Sequence, residues 1–428
     1  MRTLVLGSGG RESALAWGLA RSKEVSEVIA APGNPGIASF ASVEPIDPER
    51  ADSVVDLARH LDAGLVVIGP EAPLVGGVAD ALRADGRAVF GPGGGAARIE
   101  GSKSYAKKLM LEAGIPTARG RSFSSVEPAI EFMDELGPPY VVKADGLAAG
   151  KGVTVTETRA DAVSAIQECL VGGRFGEAGR TVVIEEFLDG EEASLIAFTD
   201  GHAVVACEPA QDYKRVYDDD EGPNTGGMGS YSPVPSCPAD VAARIAEEII
   251  EPMVWATAAA GAPFVGALYA GLALTGDGPK VVEFNARFGD PETQALVPRL
   301  RSDLGALCRA GAVGELAGAT ARWTPEPCVS VVLASGGYPG AHATGVPIEG
   351  VAEAERLPGV VVFHAGTATK DGALVTAGGR VLAVSALGTT YSEARERAYE
   401  AASRIQFEGK HLRSDIGLRA ELSEEARL

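Results

Sequence analysis

At 428 residues, with 46% hydrophobic and 22% charged side chains, the chain has a globular composition and is too long for one compact core, so about three domains are expected. Its net charge of −20 excludes nucleic acid and anionic membrane as the main partners. A phosphorylated small molecule remains open, because local cations, backbone N–H groups and bound magnesium can hold one. Cys169, Cys207, Cys237, Cys308 and Cys328 form no CxxC pair, and the five histidines form no HExxH-like cluster, which disfavours a zinc enzyme and fits reduced thiols in a cytoplasmic protein.

The first hundred residues alternate short apolar runs with helical segments. Thr3–Leu6, Val28–Ala31, Leu65–Ile68 and Ala88–Phe90 are predicted strands, and Ser13–Arg21 and Ala51–His60 predicted helices. This pattern predicts a doubly wound, mostly parallel sheet with ligands at its carboxyl ends. The apolar run Leu4-Val5-Leu6 is too short for a secretory leader and runs into glycines, so none is expected.

The pattern changes near Gly101. Ser102 is placed to cap a helix running through Glu112, ended by Gly114 and Pro116. Helices near Val126–Leu136 and Asp161–Val171 alternate with strands at Tyr140–Lys143, Val153–Thr156, Val182–Phe187 and Ala193–Phe198. A long helix around Val241–Ala259 precedes strands near Val265–Leu274 and Lys280–Asn285. This order predicts an α+β unit with hairpins. No charge occurs from Pro252 to Gly276, a length that could span a bilayer, but Gly261, Ala262 and Pro263 interrupt it. A helix end followed by a buried strand is the expectation, and no membrane partner. Beyond Pro325–Pro327, strands are predicted at Val329–Ala334, Val360–His364 and Arg380–Ser385, with a helix at Ser392–Arg404.

Gly7-Ser8-Gly9-Gly10-Arg11-Glu12 follows the first strand, yet Glu12 replaces the third glycine of a dinucleotide fingerprint. No carboxylate follows the second strand to hold a ribose, since that strand ends in Ala31-Pro32-Gly33-Asn34. A phosphate at a helix start or a plain tight turn both fit the loop. Loops 32–36 and 69–73 would face the same crevice.

Lys143 to Val153 holds two lysines around a Gly- and Ala-rich run. It departs from a Walker loop, with three residues between its glycines and a strand after it. A flap between antiparallel strands, closing over phosphates, fits better. Glu185 to Glu192 begins as a strand and ends acidic; it suits either an adenine-binding edge or a solvated face. Gly222–Gly229 is a backbone nest beside Gln211-Asp212-Tyr213-Lys214-Arg215, suited to an anion, and the Asp218–Glu221 run between them is expected to be a solvated loop. Alternation along Val281–Arg287 puts Glu283, Asn285 and Arg287 on one strand face and Val282 and Phe284 on the other. Such a polar row is costly without ligands. Glu and Asn oxygens suit magnesium, and Arg287 suits a phosphate or carboxylate.

Together these segments resemble the ATP-grasp superfamily and, within it, the phosphoribosylamine–glycine ligase (glycinamide ribonucleotide synthetase) family. Gly222–Gly229 and Asn285–Thr293 in sequence carry it most specifically, with Gly101-Ser102-Lys103 and Ser335–Gly340 extending it over nearly the whole chain. The resemblance implies an α/β and α+β architecture. A Rossmann-like pre-ATP-grasp domain would occupy residues 1–101, and a two-lobed ATP-grasp domain 102–325, its small lobe about 120–190. A small mixed barrel-like domain would occupy 326–424. It implies that ATP, glycine and 5-phosphoribosylamine give ADP, phosphate and glycinamide ribonucleotide through glycyl phosphate, in a cytoplasmic monomer using Mg²⁺ or Mn²⁺.

Carried over by position, Lys103, Lys143, Gly150, Lys151 and Gly152 would serve the ATP phosphates. Glu185, Glu186, Phe187 and Leu188 would serve the adenine, and Glu192 the ribose. Glu283 and Asn285 would hold the metal, with Arg287, Lys214 and Asp212 catalytic. The substrates would meet Gly9, Gly10, Arg11, Glu12, Gly33, Asn34, Pro70, Glu71, Asn224, Gly226, Gly227, Gly289 and Asp290. Two departures stand out: Ser13 occupies a position where many relatives carry His, and Val265–Leu274 lacks the third metal carboxylate of many ATP-grasp enzymes. Rival readings are a carboxylate–amine ligase with another acyl donor, an NAD-dependent dehydrogenase, and a non-catalytic nucleotide-binding protein.

Overall fold

The computed structural model describes residues 1–147 and 152–426. Ser42–Val43, Glu27–Pro32, Arg2–Gly7, Leu65–Ile68 and Val89–Phe90 lie side by side in that order, all parallel. Leu4, Leu6, Val66 and Val67 are fully buried, as expected of a sheet covered on both faces. Arg2–Gly7 is the central strand, so the loops after it and after its two neighbours converge where strand order reverses. The first helix, Gly10–Leu19, begins three residues earlier than Ser13, because Glu12 turns back and accepts the Gly9 N–H at 2.6 Å.

Ser102 caps helix Lys103–Ala113, its Oγ accepting the Tyr105 N–H at 3.2 Å, and Gly114 ends it at φ +69°. Next, Gly120–Phe123, Val182–Glu185, Tyr140–Ala144 and Val153–Thr156 form an antiparallel sheet in that order. Helices Val126–Leu136 and Arg159–Leu170 cover it and build a separate core around Phe132, Met133, Val142 and Ile166. The expected hairpin joins Tyr140–Ala144 to Val153–Thr156; Gly150 and Lys151 of its flap lie outside the described residues. The strand predicted to reach Phe187 stops at Glu185. Glu186 still donates its N–H to Arg119 O at 2.9 Å, after which the chain leaves the ladder.

The larger lobe pairs Val204–Ala206, Gly190–Asp200, Val265–Thr275 and Gly278–Asn285, again antiparallel. The uncharged stretch resolves as the end of helix Glu251–Ala259, a turn at Gly261 with φ +79°, and the buried strand Val265–Thr275. Leu268 and Leu272 enter one core and Ala267 and Tyr269 the other. Among the described residues no helix is long and apolar enough to cross a membrane. The predicted helix over Val241–Ala259 is interrupted by a π turn at Ala246–Ile250. Pro252, just beyond it, has no N–H to give and would crowd the carbonyl four residues back, and the wider turn relieves both.

A last antiparallel sheet runs Gln211–Asp212, Gly229–Ser232, Cys328–Ala334, Arg380–Leu387, Val360–His364. Helix Tyr391–Arg404 packs on it through Ala394, Ala398 and Ala401. Two strands flanking Lys214 and the Gly222–Gly229 nest thus belong to the same sheet as the C-terminal segment. The Asp218–Glu221 run is exposed, as expected of a solvated loop, but it is also tied down. Asp218 accepts the Ser414 N–H at 2.8 Å, and Asp220 pairs with the fully buried Arg413 at 2.9 Å, because this loop docks on the chain's last turns.

Candidate active site

Three strands from different sheets converge on a cleft between the two lobes. Pleating puts Glu283 and Asn285 on one face, as the alternation predicts, but the strand ends at Asn285 and Arg287 lies in the bend beyond it: Asn285 Nδ2 donates to Glu283 Oε1 at 3.4 Å, and Arg287 donates to Asn285 Oδ1 at 3.3 Å. From the small lobe, Lys143 Nζ donates to Val282 O at 3.0 Å and pairs with Glu185 at 2.6 Å. Lys103, at the start of its helix, is partly buried, with Nζ 3.4 Å from Gly146 O. Just after the third strand, Gln211–Asp212, Lys214 pairs with Glu192 and lies 3.9 Å from Asp212. Burial alone would push the Glu283 carboxyl up, but Lys214, Lys143 and Lys103 hold it below the usual carboxylate range.

These charges condition one another. Burial lowers the Lys103 ammonium against the opposing pull of Glu283. Burial pushes the Asp212 carboxyl up to about 7; Lys214 opposes this, while Glu292, Glu192 and Glu283 add to it. Burial would lower Lys214 as well, yet Asp212 and Glu192 raise it well above the ordinary lysine value. Tyr269 Oη and Ser194 Oγ are 2.8 Å apart, and Ser194 donates to Glu292 Oε1 at 3.1 Å, so a buried polar chain lies beneath this group. Arg287 pairs with Glu100 at 2.9 Å and reaches Glu71 at 3.5 Å.

Of the residues expected at the nucleotide, Gly152 closes the hairpin by accepting the Ala144 N–H at 2.7 Å. Glu186 accepts the Arg119 N–H at 2.8 Å, Phe187 is exposed, and Leu188 and the exposed Glu192 follow along the cleft. The Glu185 carboxylate is buried between Lys143 and Lys107, each 2.6 Å away. Burial would raise it, and the two ammonium groups hold it low instead.

The N-terminal loops lie at the far end of the cleft and are largely occupied by their own side chains. Glu12 also pairs with Arg11 at 2.6 Å, and a Cβ on Gly69 would sit 2.0 Å from its Oε1. The glutamate therefore fills the space that a glycine would leave for a dinucleotide. Asn34 Nδ2 donates to Ser8 O, Ser13 Oγ and His364 O at 2.8, 2.9 and 3.0 Å, while its Oδ1 accepts the Ile37 N–H. Ser13, too, donates to His364 O at 2.6 Å. Gly33 turns at φ +67°, and Pro70 precedes the short helix Glu71–Val75.

Arg380, from the C-terminal segment, closes the third side. It donates to Gly226 O, to Asp290 O at 2.8 Å and to Asp290 Oδ2 at 3.0 Å, while Tyr338 Oη accepts the Gly226 N–H at 2.9 Å. Burial opposes the charge on Asp290, but Arg380 and Arg11 keep its carboxyl low. Gly227 turns at φ +104°, where a Cβ would meet Pro291 at 2.4 Å, and Gly289 is packed as tightly against Glu292. Asn224 lies exposed on strand Glu221–Asn224 beside this nest. Sequence reasoning missed Lys107, Arg380, Tyr338 and Gln294. Lys107 could have been found, four residues after Lys103 on one helix. Arg380 carried no signal, since its partners lie 90 and 154 residues away.

Two antiparallel α+β lobes meeting at Glu283 and Asn285, beside a Rossmann-like sheet, are the arrangement of an ATP-grasp enzyme, and the similarities to known proteins agree. A solved 2-oxoglutarate carboxylase biotin carboxylase domain from Hydrogenobacter thermophilus shares the fold, with TM-score 0.74 at 16% identity over 96% of this chain and 91% of that one. The family models for the phosphoribosylglycinamide synthetase N domain, ATP-grasp (A) domain and C domain match residues 1–100, 101–293 and 328–419. The phosphoribosylamine–glycine ligase of Rhizobium meliloti is 50% identical over 100% of both chains, and that of Pseudomonas aeruginosa 51% identical over 98% of each. A solved phosphoribosylamine–glycine ligase from Thermotoga maritima superposes with TM-score 0.85 at 37% identity, covering 97% of this chain and 100% of that one. The chain belongs to the phosphoribosylglycinamide synthetase family, the ATP-grasp carbon–nitrogen ligases of purine biosynthesis.

Proposed function

We propose that the protein joins glycine to 5-phosphoribosylamine with ATP, giving glycinamide ribonucleotide, ADP and phosphate, and that it works as a cytoplasmic monomer. The observation that carries this reading is the row formed by Glu283, the Asn285 amide 3.4 Å from it and Arg287 3.3 Å beyond Asn285, with the fields of Lys214, Lys143 and Lys103 holding the Glu283 carboxylate in its charged form. Three cations around one carboxylate fit a polyphosphate and a divalent cation better than a neutral ligand. The donor set suits Mg²⁺ or Mn²⁺: a Glu283 carboxylate held in its charged form, and the Asn285 amide whose present contacts, at 3.3 and 3.4 Å, are long. Such a cation, when bound, neutralises charge on the β- and γ-phosphates.

A carboxylate is a poor acyl donor. In this reading an oxygen of the glycine carboxylate attacks the γ-phosphorus and the bond to the ADP oxygen breaks, giving glycyl phosphate. The amine of phosphoribosylamine then attacks the acyl carbon, phosphate leaves, and the amine loses a proton. Lys143, Lys103 and Arg287 hold and stabilise the anionic groups, with Lys151 and Gly150 of the flap assigned to the same task. Asp212, with its carboxyl near 7 and Lys214 beside it, takes the proton. The main chain of residues 186–188 faces the adenine, and Glu192 the ribose. The N-terminal loops and the Gly226–Gly227 and Gly289–Asp290 turns border the phosphoribosylamine and glycine.

The test is phosphate release by pure protein with ATP, Mg²⁺, glycine and freshly made phosphoribosylamine. Release that requires both co-substrates supports the reading. Release only with a different amino acid would transfer the assignment to another carboxylate–amine ligase.

A further inference from the structure

Lys107 lies outside the set of residues assigned to ATP, metal or substrate, yet it is buried and donates to three groups. Its Nζ lies 2.6 Å from Glu185 Oε1, 2.8 Å from Thr117 Oγ1 and 2.9 Å from Ala118 O. The other Glu185 oxygen pairs with Lys143 at 2.6 Å, and Lys143 donates in turn to Val282 O at 3.0 Å. Thr117 Oγ1 donates to Val281 O at 2.9 Å, and the Val281 N–H returns to Pro116 O at 2.8 Å. Followed round, these contacts close a ring: Val281, Thr117, Lys107, Glu185, Lys143, Val282. Both ends are clipped to consecutive carbonyls of the strand that carries Glu283 and Asn285.

The ring joins the small lobe to the large one. Glu185 and Lys143 stand on neighbouring small-lobe strands, Lys107 on the helix Lys103–Ala113, and Val281 and Val282 on the large-lobe sheet. A buried carboxylate between two ammonium groups has a defined place only while both are present. With one ammonium gone, the carboxylate is free to shift and Lys143, held 2.6 Å from it, shifts with it. We propose that Lys107 is a positioning residue for nucleotide binding, setting Lys143 against the Glu283 strand through Glu185. It touches neither substrate nor metal. The inference rests on the assignment of Lys143 to the ATP phosphates.

The test uses the full chain and the variants Lys107→Met, Lys107→Arg and Thr117→Val. The readouts are the ADP dissociation constant by calorimetry, KM for ATP, KM for glycine, and Tm without nucleotide. Lys107→Met is expected to weaken ADP binding and raise KM for ATP by roughly tenfold, leaving KM for glycine within about twofold of wild type. Lys107→Arg, which keeps the charge and can still reach Glu185, is expected to recover most of that loss. A Lys107→Met protein that only melts earlier, with ADP affinity and KM for ATP unchanged, overturns the proposal. If Lys107→Met does not fold, Thr117→Val decides. It keeps every charge, so a rise of roughly threefold in KM for ATP supports the ring and no change overturns it. Failure of wild-type protein to bind ADP would instead sink the ATP reading itself.

Discussion

The loops at the end of the N-terminal sheet and the cleft between the lobes are both rich in glycine and charge, but their polar groups are satisfied differently. In the first, Glu12 is bonded to Gly9 and Arg11, and Asn34 to three acceptors and a backbone N–H. In the second, Lys143 is paired with Glu185 and Lys214 with Glu192, while the Glu283 and Asn285 side chains make only long contacts, at 3.3 and 3.4 Å, among the described residues. The first arrangement is a joint that sets the N-terminal sheet against His364 and Phe288 of later segments. The second leaves a carboxylate and an amide with weak partners, a cost that a bound cation would offset. A glycine-rich sequence therefore marks tight turns, and the fate of the surrounding polar groups separates side chains that hold a loop in place from side chains left to meet a ligand.

The sharpest way to break this contrast is Glu283→Gln. It removes the charge at the centre of the lysine ring and is expected to lower kcat by roughly a thousandfold with Tm little changed. Near-normal phosphate release would end the assignment of that residue. Lys143→Ala comes next, with a loss of roughly a hundredfold in kcat/KM read from steady-state rates in ATP. In the joint, Asn34→Ala should act on stability instead. Losing a buried amide that ties two loops to the C-terminal segment should cost about 2 kcal/mol in urea unfolding, with KM for ATP unchanged. A large rise in that KM would make the joint part of the nucleotide site.

The smallest effect is one of pH. Asp212 titrates near 7 in the folded chain against an ordinary 3.8, so the folded state binds its proton more tightly than the unfolded one. Stability therefore falls as pH rises from 3.8 to about 7 and levels off above, while the base form needed for catalysis fills only as pH passes through about 7. Asp212→Asn should flatten that slope in denaturation curves and abolish the acidic limb of kcat/KM. A limb that survives the substitution would assign the proton to another group.

Much of this was legible before folding. Helices Ala51–His60 and Val126–Leu136 and strands Leu65–Ile68, Val153–Thr156 and Val360–His364 fall where their periodicity predicts. The boundaries that moved did so for local reasons outside periodicity, such as the reach of Glu12 back to Gly9 and the missing N–H of Pro252. The acid run 218–221 is exposed as expected, but its tether could not be read, because its buried partner, Arg413, lies at a sequence separation of 193.

Alternation along a pleated strand is local geometry, so the common face of Glu283 and Asn285 was written in neighbouring letters, and the family could be recognised from such runs. The Lys107–Glu185–Lys143 ring and the arrival of Arg380 at Asp290 required the chain to fold first. A contact between distant residues depends on which sheets pair and which lobes meet. The charge state of Asp212 or Glu283 depends, in addition, on the summed field of every neighbour that the packing brings near.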